Sequence, residues 1–281
     1  MMNISNQSYK ELSIPYFKEV FEIIDKAMLE HRIPYYLIGV TAIALELLKK
    51  GIKPGRGTKD VDFAIMISTI EQYEQLGDTL VKYGFSRVQA PWTFYSMDFN
   101  AVVDILPFGE IEGNATVQFT QRYSDLHVLG FKEVLEEPEK VVIEEKIVNI
   151  PPLAGMIILK LVAWSDRPEE RENDIADILR VIVHYFDHNF DEIVEQHYDT
   201  FNEDDFDEIL ISAEVLGRKS RSILQKSEVL ENRILSVIDS NLNSKQESKI
   251  ARDWAVKKDW GIEYSLRIIE AFRKGILTLS K

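Results

Sequence analysis

The chain of 281 residues is long enough for one large domain or two ordinary ones, and at 45% hydrophobic it can bury a core. It has no cysteine, which excludes disulfides and thiolate metal sites. A net charge of −14 disfavours non-specific binding to nucleic acid. No window approaches the roughly 18 apolar residues of a membrane span, and MMNISNQSYKEL lacks the basic-then-apolar order of a signal peptide. Cytoplasm, with no membrane partner, is the expectation. The charge is uneven. Residues 181–215 hold eleven Asp/Glu and no Lys or Arg, and residues 217–281 hold fourteen Lys/Arg against eight Asp/Glu. Two surfaces with different partners would produce this, and so would solvated helix faces, the simpler reading.

Ile14, Phe17, Val20, Phe21, Ile24 and Met28 recur at three- and four-residue steps, which predicts a helix over 13–32. Tyr35–Ile38 is a short apolar strand running into Gly39, followed by a helical stretch over 41–50. A loop with Gly51, Pro54, Gly55 and Gly57 leads to a second strand over 60–67, opened by Asp60-Val61-Asp62. Ser68-Thr69-Ile70-Glu71 reads as a capping box for a helix ending near Lys82. A short strand over 85–89 and a hairpin of strands over 93–97 and 101–106 follow, closed by Pro107 and Gly109. A short helix over 131–137 and paired strands over 140–143 and Lys146–Ile150 complete this part. Pro151-Pro152 marks a boundary, with helix beyond it. Helices over 153–164 and 174–186 flank a charged break, and the rest is helical with breaks near Asn202, Gly217, Asn241 and Gly261. The fold class is therefore α+β. A small mixed sheet flanked by helices occupies 1–150, and an all-helical region occupies 151–281.

Asp60 and Asp62 sit two apart on a strand, so both carboxylates leave the same face. Two like charges this close repel unless a cation lies between them, and hard oxygen ligands suit Mg²⁺ or Mn²⁺. A solvated strand edge would also carry Asp-x-Asp. The signal gains from Asp104, inside the apolar strand of Val102, Val103, Ile105 and Leu106, where a carboxylate is costly unless paired or metal-bound. Three such carboxylates could hold two metals about 3.5–4 Å apart, which clamp an in-line phosphoryl displacement. Gly39 sits where a strand meets a helix N-terminus, a ready phosphate site, and Thr41 adds a hydroxyl. Lys160, inside an apolar helix, is expensive to bury without an anion, and snorkelling to the surface is its alternative. Arg56, Lys59 and Arg171 could contact phosphate or be solvated charges. Trp92 and Trp164 could stack a base, although core packing is the simpler reading. His184 and His188 have a zinc-compatible spacing with no third ligand, and read as a solvated helix face.

Together these residues resemble a known pattern. The Gly39-x-Thr41 turn, the segment Arg56-x-Thr58-x-Asp60-Val61-Asp62 and the strand Asp104 are similar to the signature of the nucleotidyltransferase superfamily, the DNA polymerase β-like fold. The later Leu159-Lys160-Leu161-Val162-Ala163-Trp164 and the segment from Arg171 through Asp174 and Asp177 to Leu179 resemble its AbiEii/AbiGii toxin-like branch. The resemblance spans about residues 13–190. It implies that Asp60 and Asp62 bind metal and nucleoside triphosphate. Asp104 would activate the acceptor hydroxyl as metal ligand or base, and Lys160 would contact phosphates. Asp174 or Asp177 would support that lysine or the acceptor site, and Gly39, Thr41, Arg56 and Thr58 would line the nucleotide. Val40 departs from the pattern, which has Gly or Ser there, and its β-branch would crowd a phosphate approaching the backbone. The expected activity is magnesium-dependent transfer of a nucleotidyl group from an NTP to a hydroxyl of RNA, protein or a small molecule. Toxin action and a cognate antitoxin enter by resemblance alone. The competing expectation is a non-catalytic module that keeps the fold to bind a nucleotide or a protein, and a metal-dependent hydrolase is third.

Overall fold

A computed structural model describes residues 12, 14–49, 51–53, 60–120, 123–143, 146–201, 206–245 and 247–278. The chain divides into two compact units, Met1–Pro152 and Leu153–Lys281.

In the first unit, helix α1 (Phe17–His31) places Phe17, Val20, Phe21, Ile24 and Met28 on one buried stripe, as their spacing predicts. Strand β1 (Tyr35–Ile38) leads directly into α2 (Gly39–Leu48), and β2 (Asp60–Met66) follows the loop. Helix α3 (Ile70–Lys82) is capped by a box one residue later than the sequence suggests. Thr69 accepts from the Gln72 amide, and the Gln72 side chain accepts from the Thr69 amide. Gln serves as well as Glu at the third helical position, so Glu71 is not needed there. Then come β3 (Phe85–Arg87), β4 (Thr93–Ser96) and β5 (Ala101–Phe108). Pro107 does not end β5 but lies within it, level with Ile65 of β2. Residues Thr116–Phe119 (β6) and Ser124–His127 (β7) form a hairpin that the pattern did not announce. Helix α4 (Phe131–Leu135) and the β8 (Glu139–Ile143) and β9 (Lys146–Ile150) hairpin close the unit.

The five-stranded sheet has the order β1-β2-β5-β4-β3. Only β2 and β5 are parallel, and the other neighbours are antiparallel, so the sheet is mixed as expected. Strand alternation gives it two unlike faces. Val61, Phe63, Ile65, Val103, Ile105 and Phe94 are buried on one face. There Phe21 of α1 stacks on Phe63 at 6.2 Å, and the Tyr73 hydroxyl of α3 lies 3.1 Å from the carbonyls of Pro91 and Ile105. The opposite face carries Asp60, Asp62, Val102, Asp104, Thr93 and Tyr95, none of them fully buried.

The second unit is helical: α5 (Leu153–Asp166), α6 (Glu172–His188), α7 (Phe190–Gln196), α8 (Glu208–Leu224), α9 (Glu228–Leu242), α10 (Lys249–Lys258) and α11 (Ile262–Leu277). Gly217 is not a break. It lies inside α8, where it faces Gly275 of α11. A Cβ on Gly217 would sit 2.1 Å from the Phe272 carbonyl oxygen, and one on Gly275 would sit 2.0 Å from that of Glu214. The two backbones touch, so neither site has room for a side chain. In a free helix Gly→Ala would gain about 1 kcal/mol. Here Gly275→Ala is expected to cost about 1–3 kcal/mol, because the helices must separate. Urea unfolding would read that reversal of sign, and a stabilised variant would refute the contact.

Candidate active site

The parallel register of β2 and β5 puts Asp62 directly level with Asp104. Neighbouring strands lie about 4.8 Å apart, so two same-face carboxylates at one level can share a single cation. Both are half-buried. Asp60 stands one step along, level with Val102 at the exposed start of β2. The register thus sets Asp62 and Asp104 level, with Asp60 two residues earlier on the same face of β2. Among the described residues, no three or more His, Cys, Asp or Glu side chains form a group able to hold a metal ion. The pair itself fits Mg²⁺ or Mn²⁺ in its donor chemistry, since both ligands are hard oxygens and a triphosphate would bring more.

Gly39 ends β1 beside this pair, because Ile38 is level with Asp62 across the antiparallel β1–β2 ladder. Gly39 has φ +68°, in the left-handed region that disfavours other residues. A Cβ built on it would lie 2.1 Å from Asp62 Oδ2 and 3.0 Å from Asp62 Cγ. The glycine is therefore required twice, by its backbone and by the carboxylate resting on its Cα. Gly39→Ala is expected to push Asp62 aside, since the obstructing atom is the end of a side chain. If Asp62 holds a metal, Mn²⁺ affinity should fall in addition to the roughly 1–2 kcal/mol cost of the left-handed conformation. Calorimetric Mn²⁺ titration beside thermal unfolding would separate the two effects.

Thr41, in the first turn of α2, is buried, and its hydroxyl has no hydrogen-bond partner in the structure. A buried hydroxyl left unsatisfied is costly, which fits a ligand-facing role for the start of α2. Val40 is half-buried beside it. At the other end of α2, the buried Glu46 pairs with Lys49 at 2.5 Å, and Lys49 also reaches Glu139 of β8 at 3.5 Å. Burial, followed by the neighbouring Glu46 charge, raises the Glu139 carboxyl above its ordinary value. Arg56, Thr58 and Lys59 lie outside the described residues.

Sequence reasoning missed Thr93. It is level with Asp104 on β4 and donates from Oγ1 to Asp104 Oδ1 at 2.5 Å. Ile38, Asp62, Asp104 and Thr93 thus form one row across four strands. No spacing rule could have found Thr93, because its place depends on the register of a hairpin.

In the second unit, Lys160 of α5 is buried and donates to Asp174 Oδ1 and Asp177 Oδ2 of α6, each at 2.8 Å. It does not snorkel. Burial alone would lower its pKa, but the two carboxylates outweigh burial and hold the ammonium above its usual value. Arg171 adds a contact to Asp174 at 3.4 Å. Trp164 is buried in this unit, while in the first unit Trp92 lies against Phe119 at 5.9 Å. His188 is buried rather than solvated, because it falls on the inner side of the last turn of α6.

No helix among the described residues is long and apolar enough to cross a membrane. No protein-family model and no curated protein matches the chain. Among solved structures, the chain is similar to the antibiotic-resistance factor ANT(2'')-Ia, with a TM-score of 0.42 and 11% identity over 80% of this chain and 97% of that one. It is also similar to the lincosamide antibiotic adenylyltransferase LnuA bound to lincomycin, with a TM-score of 0.38 and 15% identity over 58% and 95%. A third similar structure is an antigenic nucleotidyltransferase-like protein from Paracoccidioides brasiliensis, with a TM-score of 0.40 and 17% identity over 82% and 94%.

Proposed function

We propose that the chain is a nucleotidyltransferase, moving a nucleoside monophosphate from an NTP to an acceptor hydroxyl. The observation that carries this reading is the level pairing of Asp62 and Asp104 on parallel strands, with the Gly39 turn and the start of α2 beside it. Asp62 and Asp104 would hold Mg²⁺ or Mn²⁺, and Asp60, at the exposed start of β2, is the further carboxylate that the resemblance assigns to the metal. When bound, the metal would polarise phosphoryl oxygens and neutralise charge on the leaving group. The free amides at the start of α2 and the Thr41 hydroxyl would receive phosphate oxygens. The acceptor oxygen forms a bond to the α-phosphorus, the bond from that phosphorus to the bridging oxygen breaks, and pyrophosphate leaves with the electron pair. The acceptor proton passes to solvent or to a carboxylate of the site.

The resemblance adds the finer parts of the proposal, a toxin-like role with an RNA end, a protein hydroxyl or a small molecule as acceptor. Incubating the chain with each α-labelled NTP, Mg²⁺ and total RNA or lysate tests both parts. Label appearing in one acceptor class names the acceptor. The absence of label, together with no Mg²⁺-dependent thermal shift by any NTP, would overturn the reading.

A further inference from the structure

We propose that Thr93 is a positioning residue of this site, orienting Asp104 as a metal ligand. The inference deepens the nucleotidyltransferase reading and rests on its assignment of Asp104. Three observations support it. Thr93 and Asp104 are register partners on antiparallel strands, so their side chains rise from the same face at one level. The hydroxyl donates to Asp104 Oδ1 at 2.5 Å, the short range of a charge-assisted O–H···O⁻ bond. The backbone on both sides of this contact is pinned from the buried face. The Tyr73 hydroxyl lies 3.1 Å from the carbonyls of Pro91 and Ile105, and the Ile105 amide donates to the Trp92 carbonyl at 2.8 Å. A fully buried tyrosine thus holds the chain two residues before Thr93 and one residue after Asp104.

The chemistry follows from the direction of the bond. A donor at one carboxylate oxygen fixes the plane of the group and leaves Oδ2 to face the site. An oriented carboxylate is a better ligand for a hard cation than one free to rotate. A purely structural role, tying β4 to β5, would leave metal binding untouched, and this separates the two explanations experimentally.

The test is calorimetric titration of the whole chain with Mn²⁺, without nucleotide, on wild type, Thr93→Val and Thr93→Ser. Valine keeps the number of heavy atoms and removes the hydroxyl, whereas serine keeps the hydroxyl. Thr93→Val is expected to bind Mn²⁺ about 10-fold more weakly or worse, and Thr93→Ser to stay within about threefold of wild type, the scale typical of groups that orient a metal ligand. In the transfer assay, Thr93→Val should need more Mg²⁺ for half-maximal rate and regain most of its kcat at saturation. Wild-type Mn²⁺ affinity in Thr93→Val would overturn the inference, as would equal losses in the Val and Ser variants. Wild type failing to bind Mn²⁺ would overturn the metal site and this inference together. Mn²⁺ binding that depends on Thr93 in a chain that transfers no nucleotide would sink the proposed reaction and leave the positioning role standing.

Discussion

Asp62→Asn and Asp104→Asn are each expected to lower nucleotidyl transfer by about 10³-fold or more. The pair would stabilise charge through a shared cation, and losing it forfeits several kcal/mol of transition-state stabilisation, at about 1.4 kcal/mol per decade. Asparagine keeps the shape but cannot supply an anionic oxygen. The fold should survive, because Asp62 and Asp104 stand on the half-buried face of the sheet and not among Phe63, Val103 and Ile105. Asp60→Asn is expected to cost less, since Asp60 is level with Val102 and exposed. Transfer rates from labelled NTP, measured beside thermal unfolding, check all three. An Asp104→Asn chain that transfers at the wild-type rate would remove Asp104 from the site. Equal losses for Asp60 and Asp62 would make the site a three-carboxylate set.

Much of this site can be read from residue spacing, because strand alternation is a local rule. Asp60 and Asp62 share a face by their separation alone, and Asp104 stands out as a carboxylate in an apolar strand. Gly39 is legible as a strand-to-helix junction. What spacing cannot convey is register. The level pairing of Asp62 with Asp104 depends on a parallel crossover of some forty residues, and the pairing of Thr93 with Asp104 on how one hairpin closes. The same limit explains the smaller misses. Pro107 reads as a strand end, yet it fits within β5 opposite Ile65. The β6–β7 hairpin lacks a strong turn signal, and its outer strand, half-buried to exposed throughout, shows no apolar alternation. Gly217 looks like a helix breaker until its partner Gly275, some sixty residues later, is placed against it. Local pattern specified the elements and the candidate chemistry, whereas long-range packing decided which residues touch.

Lys160→Met is expected to destabilise the second unit by about 3–5 kcal/mol, although methionine suits an apolar helix well. The cost comes from the partners. Asp177 is buried and Asp174 nearly so, and without the ammonium each loses a cationic partner at 2.8 Å, with Arg171 left to Asp174 at 3.4 Å. Urea unfolding followed by Trp164 and Trp254 fluorescence would measure it. Replacing Asp177 by Leu in the Lys160→Met background should recover part of the loss, because a buried charge then disappears with its partner. The pH dependence has a definite sign. The folded-state pKa of Lys160 lies above the ordinary lysine value, so its contribution is complete below the unfolded pKa and fades only as pH rises through the higher folded value. The gap between wild type and variant should therefore stay constant between pH 7 and about 9, below the unfolded lysine pKa. A gap that closes within that window would mean that Lys160 is not held by its two carboxylates as described. The same variant weighs the role in phosphate binding that the resemblance assigns to this lysine. An ammonium has three donors, and Asp174 and Asp177 engage two of them. If Lys160 chiefly ties α5 to α6, the KM for NTP measured under conditions where the variant is folded will change little. If it also contacts phosphate through its remaining donor, KM will rise by more than the stability loss explains.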